Sequence, residues 1–391
     1  MTKATLAARA RETLATAERA RLLRVRDAHD GAQGTAIEIG GRHLRNFTSN
    51  DYLGLANHPR VTERVRRELP AHGFGSGAAA LLSGRSSLHA ELERRIAAAC
   101  HCDDALLFSS GYLANSGSLP ALVGRSDFVA HDRLNHASLI DGVLASGARH
   151  RRYRHADPVA AAAALAARGD GVALLVTESI FSMDGDLAPL ADLARLAADH
   201  GASLYVDDAH GFAVSGADGF ANVDALPADA VRMVTFGKAL GSVGAAIAGA
   251  AETIEFLVQR ARTYVYDTAL PPVCAAAALE ALDILADEPA RLQRLHANIA
   301  HFRSVASGAG LDLLPSSTPI QPIMVGAAEA ALTLAESLRA AGFYVRAVRP
   351  PTVPRGTARL RITLSSDHLA SDIEALVEAL AEASTAGPAM P

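Results

Sequence analysis

The sequence has little cysteine and no long apolar run. Its 391 residues include three cysteines, Cys100, Cys102 and Cys274, too few for a disulfide framework. A reducing compartment, the cytoplasm, is therefore expected. No apolar stretch reaches the ~20 residues that a helix needs to cross a bilayer. We predict a cytoplasmic protein without a membrane partner.

Positive charge is not in excess either. Lysine and arginine total 37 against 42 aspartate and glutamate residues, a net charge of −5. This balance, without a long basic run, argues against nucleic acid as the main partner. Cys100-His101-Cys102 lacks a second ligand cluster, so no metal site is predicted. No strand is followed by a dinucleotide fingerprint, which argues against a nicotinamide-dependent oxidoreductase.

What the sequence does contain is typical of a large α/β enzyme. Half of the residues are hydrophobic and a fifth are charged. Strand and helix patterns alternate from about 105 to 250, which predicts a doubly wound, mostly parallel sheet. We predict three parts: an N-terminal helical arm and hairpin (1–47), a large domain (48–287) and a smaller α+β domain (288–391). The arm is arginine-rich like a transit peptide, but it contains Glu12 and Glu18, so a structural helix from 4 to about 27 is the preferred interpretation.

The stretch from Leu204 to Ala245 carries the main chemical signal. Two short apolar runs, each read as a buried strand, break into polar residues that include Asp207 and His210 after the first and Thr235 and Lys238 after the second. Ligands of open α/β sheets bind at the carboxyl ends of the strands. One lysine and one carboxylate suit pyridoxal phosphate, since the lysine can bond to its aldehyde and the aspartate can keep its pyridine nitrogen protonated. Either motif alone is more often an ordinary loop; the ordered pair favours the cofactor.

Three further strand ends add candidates. Gly111-Tyr112 follows two serines between a strand and a helix, a place where backbone N–H groups can bind a phosphate. The turn is neither a P-loop nor G-x-G-x-x-G, which indicates a cofactor smaller than a dinucleotide. His136 opens a helix, where it can lie against an aromatic ring or simply cap the helix. Ser182 precedes a Met-Asp-Gly turn and is placed to hydrogen-bond at a strand tip.

Seven stretches form a recognisable set: NDYLGLANHP (50–59), FSSGYLAN (108–115), DRLNHASL (132–139), FSMDGD (181–186), DDAHG (207–211), TFGK (235–238) and PPTVPRGTARLRITL (350–364). Together they resemble the α-oxoamine synthases, a fold-type-I pyridoxal-phosphate family, over nearly the whole chain. The sequence departs from the family in two segments. Ala78–Ala80 stand in the glycine-rich loop where Gly-Gly or Gly-Ser is usual, and Asp267 stands where serine is common, in a segment that the family places across its dimer interface.

The resemblance implies an aminotransferase-like fold and a role for each matching residue. It implies a homodimer with shared active sites and pyridoxal 5′-phosphate as cofactor. The implied catalytic residues are Lys238, His136, Asp207 and His210. The implied cofactor-binding residues are Gly111, Tyr112, His136, Ser182, Asp207, His210, Thr235 and Lys238, and the implied substrate-binding residues are Arg24, Asn50, His136, Thr352 and Arg361.

The activity implied is a decarboxylative condensation of an amino acid with an acyl thioester. Residues 350–364, with Ile320-Gln321-Pro322 before them, favour the member that condenses L-alanine with pimeloyl-CoA or a pimeloyl-acyl carrier protein in biotin synthesis. The alternatives within the family use glycine with acetyl-CoA or succinyl-CoA. An alternative of another class is a binding or regulatory protein that keeps the fold without turnover; the intact lysine, aspartate and histidines argue against it.

Overall fold

The structure is a computed structural model that describes residues 5–386. Contacts divide these residues into two units. The large unit comprises residues 50–296 and 365–367, and the small unit comprises residues 5–49, 297–364 and 368–386.

The regular elements of the described residues are fourteen α-helices, thirteen strands and a π-helical turn at Ala80–Gly84. The helices are α1 (Leu6–Arg19), α2 (Pro59–His72), α3 (Ser87–Ala99), α4 (Gly111–Leu122), α5 (Ala137–Ser146), α6 (Pro158–Leu165), α7 (Leu190–Asp199), α8 (Ala221–Asp224), α9 (Ala251–Arg260), α10 (Arg262–Val265), α11 (Pro272–Asp287), α12 (Ala290–Gly308), α13 (Ala328–Ala340) and α14 (Ala370–Ala386). The strands are β1 (Ala36–Ile39), β2 (Arg42–Asn46), β3 (Asp104–Phe108), β4 (Phe128–Asp132), β5 (Arg149–Tyr153), β6 (Ala173–Glu178), β7 (Ser203–Asp207), β8 (Val231–Thr235), β9 (Ala245–Gly249), β10 (Ile320–Gly326), β11 (Phe343–Tyr344), β12 (Arg346–Val348) and β13 (Ala358–Thr363).

The large unit is built on a seven-stranded sheet in the order β3-β9-β8-β7-β6-β4-β5. The pairs from β8 to β5 are parallel, while β9 runs antiparallel to both β3 and β8. Because neighbouring parallel strands end at the same edge, the last residues of β6, β7 and β8 lie side by side. The predicted large, mostly parallel sheet is confirmed.

Helices cover both faces of this sheet. On one face Val176 and Tyr205 pack in a cluster that also holds residues of α4, α5 and α9. On the other face Leu175 and Val206, one residue away on the same strands, pack with residues of α6 and α7. Successive strand residues therefore both face apolar layers, which explains why β6 and β7 are continuous apolar runs.

The small unit contains two three-stranded sheets, β1-β2-β11 and β10-β13-β12. The predicted hairpin is present: Ile39 faces Arg42 across the turn, and Gly40 and Gly41 both have positive φ, as a type I′ turn requires. Strand β2 also pairs with β11. These contacts group the predicted N-terminal part with C-terminal residues, whereas the three-part division drawn from the sequence separated them.

The N-terminal helix is shorter than the predicted span of 4 to about 27. It ends at Arg19, because Arg21 adopts φ 55° and the N–H groups of Arg21 and Leu22 bond to the carbonyls of Glu18 and Ala17. This Schellman pattern turns the chain out of the helix. Arg24 consequently lies in the segment without regular secondary structure that follows α1. Among residues 5–386, no helix has the length and apolarity needed to cross a bilayer.

The turn that follows β8 leaves no room for a side chain at Gly241. Its φ is +60°, and an added Cβ would lie 2.2 Å from the backbone nitrogen of Ala56. We expect Gly241→Ala to lower the free energy of unfolding by more than about 2 kcal/mol, measured by urea denaturation at saturating cofactor. The control is Gly310→Ala, where φ is +77° and no atom lies within 4 Å. This control should lose only about 1 kcal/mol of backbone strain, so equal losses in both variants would contradict the steric explanation.

Candidate active site

A cavity of about 160 Å³ lies at the edge of the large unit's sheet where β6, β7 and β8 end. It gathers all four predicted catalytic residues, and seven of the eight predicted cofactor residues, in one place. Its lining consists of Gly111, Tyr112, His136, Ser138, Glu178, Asp207, Ala209, His210, Met233, Thr235 and Lys238.

Asp207 is the last residue of β7 and is buried at the base of the cavity. One carboxylate oxygen accepts a hydrogen bond from Asn115 Nδ2 at 2.7 Å, and the other accepts one from the backbone N–H of Ala209 at 3.0 Å. Two donors on one carboxylate stabilise its charged form. Both oxygens of this cavity-lining side chain are thus held in place by hydrogen bonds.

His210 lies in the turn after β7 and is also buried. Its Nδ1 is 2.7 Å from the hydroxyl of the fully buried Tyr52, which donates to Asn50 Oδ1 at 3.2 Å. Because a phenol has a single hydrogen, donation to Asn50 requires that His210 Nδ1 carry the hydrogen of the shared bond. The predicted residues His210 and Asn50 are therefore joined through a tyrosine that the sequence reading did not single out.

His136 caps the N-terminus of α5. Its backbone N–H donates to Glu178 Oε1 at 2.6 Å, and its Nδ1 contacts the Ser138 hydroxyl at 2.8 Å. Partial burial lowers the pKa of His136 below its ordinary value; Lys238 acts in the same direction and Asp207 opposes it. These effects favour the neutral imidazole, the form suited to packing against another aromatic ring.

Glu178 ends β6 beside Asp207 and is almost completely buried. Burial raises its pKa well above the ordinary value, and the neighbouring Asp207 charge raises it further; Lys238 and the His136 N–H oppose the shift. The site therefore favours the neutral form of the Glu178 carboxyl group.

The N-terminus of α4 forms one end of the cavity. Ser110 caps this helix by accepting from the N–H of Leu113, and the Ser110 carbonyl accepts from Ala114. Within the described residues, the N–H groups of Gly111 and Tyr112 have no hydrogen-bond acceptor. Free N–H groups at the positive end of a helix dipole form a ready phosphate site.

Lys238 and Thr235 lie in the turn after β8. Two bonds close this turn: the Phe236 N–H donates to the Gly244 carbonyl at 2.9 Å, and Thr235 Oγ1 donates to the same oxygen at 2.9 Å. Both Thr235 and Lys238 are half-buried and line the cavity. The closed turn brings one amine to the cavity that Asp207 and the N-terminus of α4 also line.

The remaining predicted residues lie outside this cavity lining. Ser182 is in the turn after β6, where Gly185 has φ 70° as the Met-Asp-Gly signal predicted. In the small unit, Arg24 Nη2 donates to Thr352 Oγ1 at 3.4 Å, so two predicted acyl-substrate residues are neighbours. Arg361 is buried in β13, opposite Pro322 and Arg346 on the flanking strands. The roles of these residues remain predictions.

The residues that depart from the family pattern contact each other. Ala79 pairs with Thr268 in an isolated bridge, and the Ala269 N–H donates to the Ala78 carbonyl at 3.0 Å. Asp267 accepts from the Ser109 hydroxyl at 2.7 Å. The alanine-containing loop and the Asp267 segment therefore form one structure next to the turn that opens α4.

The donor set of the cavity fits pyridoxal phosphate. A half-buried amine, a buried carboxylate with its charge stabilised, an N-terminal helix turn with free N–H groups and a neutral imidazole line one space. These match an aldehyde, a pyridine nitrogen, a phosphate and a flat ring respectively. Across the described part of the chain, no group of three or more His, Cys, Asp or Glu side chains is arranged to hold a metal ion.

Comparisons with known proteins show the family of the chain. The family model "Aminotransferase class I and II" matches residues 42–380. The 8-amino-7-oxononanoate synthase of Methylococcus capsulatus is 50% identical over 371 residues, covering 92% of this chain and 96% of the relative. That of Pseudomonas aeruginosa (strain PAO1) is 49% identical over 365 residues, covering 92% and 91%. The chain belongs to the 8-amino-7-oxononanoate synthase family, within the class I and II aminotransferases.

Solved structures support the same family assignment. The chain is similar to the 8-amino-7-oxononanoate synthase of Francisella tularensis, with 30% identity, a TM-score of 0.75 and coverage of 88% and 98%. It is also similar to the Sphingomonas wittichii serine palmitoyltransferase, with 26% identity, a TM-score of 0.92 and coverage of 99% and 100%. A serine palmitoyltransferase structure with pyridoxal phosphate is 26% identical, with a TM-score of 0.91 and coverage of 98% and 99%. The resemblance stated from the sequence motifs is confirmed.

Proposed function

We propose that the chain is a pyridoxal-phosphate-dependent acyltransferase of biotin biosynthesis. It condenses L-alanine with a pimeloyl thioester and releases 8-amino-7-oxononanoate, CO₂ and the free thiol. The observation that carries the proposal is one cavity lined by Lys238, Asp207, His136 and His210 in a chain about half identical to 8-amino-7-oxononanoate synthases. The intact lysine and aspartate argue against a binding protein without turnover.

Each part of the cavity has a task toward the cofactor. Lys238 bonds to the cofactor aldehyde, Asp207 pairs with the pyridine N–H, and the N–H groups of Gly111 and Tyr112 with Thr235 bind the phosphate. His136 packs on the ring. When bound, the cofactor withdraws electrons from the Cα of the amino acid and so makes its proton removable. Ser182 and His210 are assigned to the phenolic oxygen by resemblance.

Proton transfer falls to Lys238. Lys238 would hold the cofactor through Nζ, and once the amino group of alanine takes that place, Nζ would be free to remove the Cα proton. A new bond joins this Cα to the thioester carbonyl carbon, and the thiol leaves with a proton. The alanine carboxyl group departs as CO₂, and Cα regains a proton from Lys238. All atoms of alanine and the pimeloyl thioester are thus found in one amino ketone, one CO₂ and one thiol.

The substrate roles and the assembly are also part of the proposal. Asn50 and Arg361 take the alanine carboxylate, a task suited to a guanidinium fork, and Arg24 and Thr352 contact the acyl chain. The thioester carrier is coenzyme A or an acyl carrier protein. The active enzyme is a homodimer, as the resemblance implies. It works in the cytoplasm, where thiols such as the three free cysteines of this structure stay reduced.

The test compares amino donors. Purified holoenzyme with pimeloyl-CoA receives L-alanine, glycine or L-serine, and thiol release is followed together with the product mass. We expect alanine to give 8-amino-7-oxononanoate with a kcat/KM at least about tenfold above that of glycine, since one buried methyl group contributes 1–3 kcal/mol. A preference for glycine, with acetyl-CoA or succinyl-CoA replacing pimeloyl-CoA, would move the chain to a sister reaction.

A further inference from the structure

Asn115 lies at the centre of a buried hydrogen-bond network behind the cavity. It sits on α4, four residues after Gly111, and its side chain is completely buried. Its Nδ2 donates one hydrogen to Asp207 Oδ2 at 2.7 Å and the other to Ser138 Oγ at 2.9 Å. Its Oδ1 accepts from the hydroxyl of Tyr205 at 2.8 Å. Both amide hydrogens and the carbonyl oxygen are therefore in use.

The orientation of this amide is fixed by its partners. A carboxylate has no hydrogen to donate, so the amide group that faces Asp207 must be the NH₂. Tyr205 reinforces this choice, because its hydroxyl donates to the amide oxygen from the opposite side. The reverse orientation would place two acceptors together at Asp207, and the Tyr205 hydroxyl would face the amide NH₂ instead of the amide oxygen, a costly arrangement.

The same amide also fixes the hydrogen on His136. Ser138 Oγ accepts from Asn115, so its own hydrogen is available for His136 Nδ1, 2.8 Å away. The Ser138 backbone N–H, which can only donate, also points to Nδ1 at 3.3 Å. Nδ1 is therefore an acceptor, and in the neutral imidazole the hydrogen resides on Nε2.

We propose that Asn115 is a positioning residue that, through one amide group, holds the Asp207 carboxylate charged toward the cofactor nitrogen and fixes the tautomer of His136. The proposal rests on the function proposed above only in assuming pyridoxal phosphate; it does not depend on the amino donor or the acyl chain. Tyr205 acts indirectly: its hydroxyl orients the Asn115 amide by donating to Oδ1. Asn115 is not among the residues that line the cavity.

The experiment uses pyridoxal phosphate labelled with ¹⁵N in its ring. The nitrogen resonance of the bound cofactor reports whether that nitrogen carries a proton, and equilibrium dialysis of the apoprotein gives the cofactor Kd. In Asn115→Leu we expect the resonance to move toward the unprotonated position and the Kd to weaken at least about tenfold, since hydrogen bonds to charged groups are the strong ones. Tyr205→Phe, which keeps the amide but removes its orienting donor, should shift both readouts in the same direction by a smaller amount.

Two further variants separate the branches of the network. Ser138→Ala removes the contact to His136 but leaves that to Asp207, so it should lower kcat while the nitrogen resonance stays in place. Ser116→Ala, on the same helix, removes a hydroxyl that donates only within the helix to the Tyr112 carbonyl, and it should leave the resonance and the Kd unchanged. Unchanged nitrogen resonance and cofactor Kd in both Asn115→Leu and Tyr205→Phe would overturn the proposal. Failure of the unsubstituted protein to bind pyridoxal phosphate would instead contradict the proposed function.

Discussion

Lys238→Ala is expected to lower kcat by at least about 1000-fold with L-alanine and pimeloyl-CoA. The variant removes the amine that holds the cofactor and the base that takes the Cα proton, and a positioned general base alone contributes 10²–10⁴-fold. The structure offers no replacement in the cavity: among the lining residues, Lys238 is the single amine. Steady-state thiol release checks this expectation.

A chemical experiment on the same residue identifies the attachment point. The sequence contains two lysines, Lys3 and Lys238. Borohydride treatment of the holoenzyme followed by peptide mass spectrometry should find the reduced cofactor on Lys238 alone. Lys3→Ala is the control and should retain full turnover and the full yield of modified peptide. Turnover in Lys238→Ala within tenfold of the unsubstituted enzyme would rule out its assigned role.

Asp207→Asn is expected to lower kcat by about 100-fold or more and to weaken cofactor binding. Asparagine keeps the size of the side chain but removes the negative charge that stabilises the proton on the cofactor nitrogen. In the unsubstituted protein the two oxygens of Asp207 accept from two donors, Asn115 Nδ2 and the Ala209 N–H. Asparagine replaces one of these acceptor oxygens by an NH₂ group. Either orientation of the new amide leaves one of these donors facing a donor.

The neighbouring aspartate provides a matched control. Asp208 is equally buried, but it accepts from Ser179 and Asn222 and does not line the cavity. Burial raises the pKa of Asp208 to about 6, so its neutral form is accessible near neutral pH. Asp208→Asn should therefore keep kcat within about threefold. Similar losses in Asp207→Asn and Asp208→Asn would show that general damage to the strand end, rather than the charge at 207, lowers activity.

The sequence predicted those parts of the site that a local pattern reveals. Asp207 and Lys238 each follow a short apolar run and a change to polar residues, and the parallel sheet brings such strand ends together. The hairpin and the Met-Asp-Gly turn were predicted on the same local basis. The residue roles came from resemblance to a family, not from these patterns.

The parts that the sequence reading missed depend on distant partners. Asn115 bonds to residues 23, 90 and 92 positions away, and Tyr52 bonds to a histidine 158 positions away. Nothing next to Asn115 in the sequence marks this role. Its local signals are its place at the end of FSSGYLAN, a motif of the family resemblance, and its position four residues after Gly111, which places both on one face of α4.

Two elements, β5 and α2, were not predicted from the sequence because few of their side chains are buried. Strand β5 reads RHRRY, and only Tyr153 in it is buried, since an edge strand needs few apolar side chains to be held by its neighbour. Helix α2 has a single buried residue, Val61, so its apolar face is hardly visible in the sequence. In both cases pairing and packing with distant segments determine the structure, and the local hydrophobic pattern does not indicate it.

The measurement that tests the proposed reaction most directly follows the carboxyl carbon of alanine. Holoenzyme, L-alanine labelled with ¹³C at C1 and pimeloyl-CoA are mixed, and labelled CO₂, free thiol and product mass are quantified together. We expect one labelled CO₂ for each thiol released and an unlabelled 8-amino-7-oxononanoate. Thiol release with the label retained in the product, or no labelled CO₂ with any acyl thioester, would contradict a decarboxylative condensation.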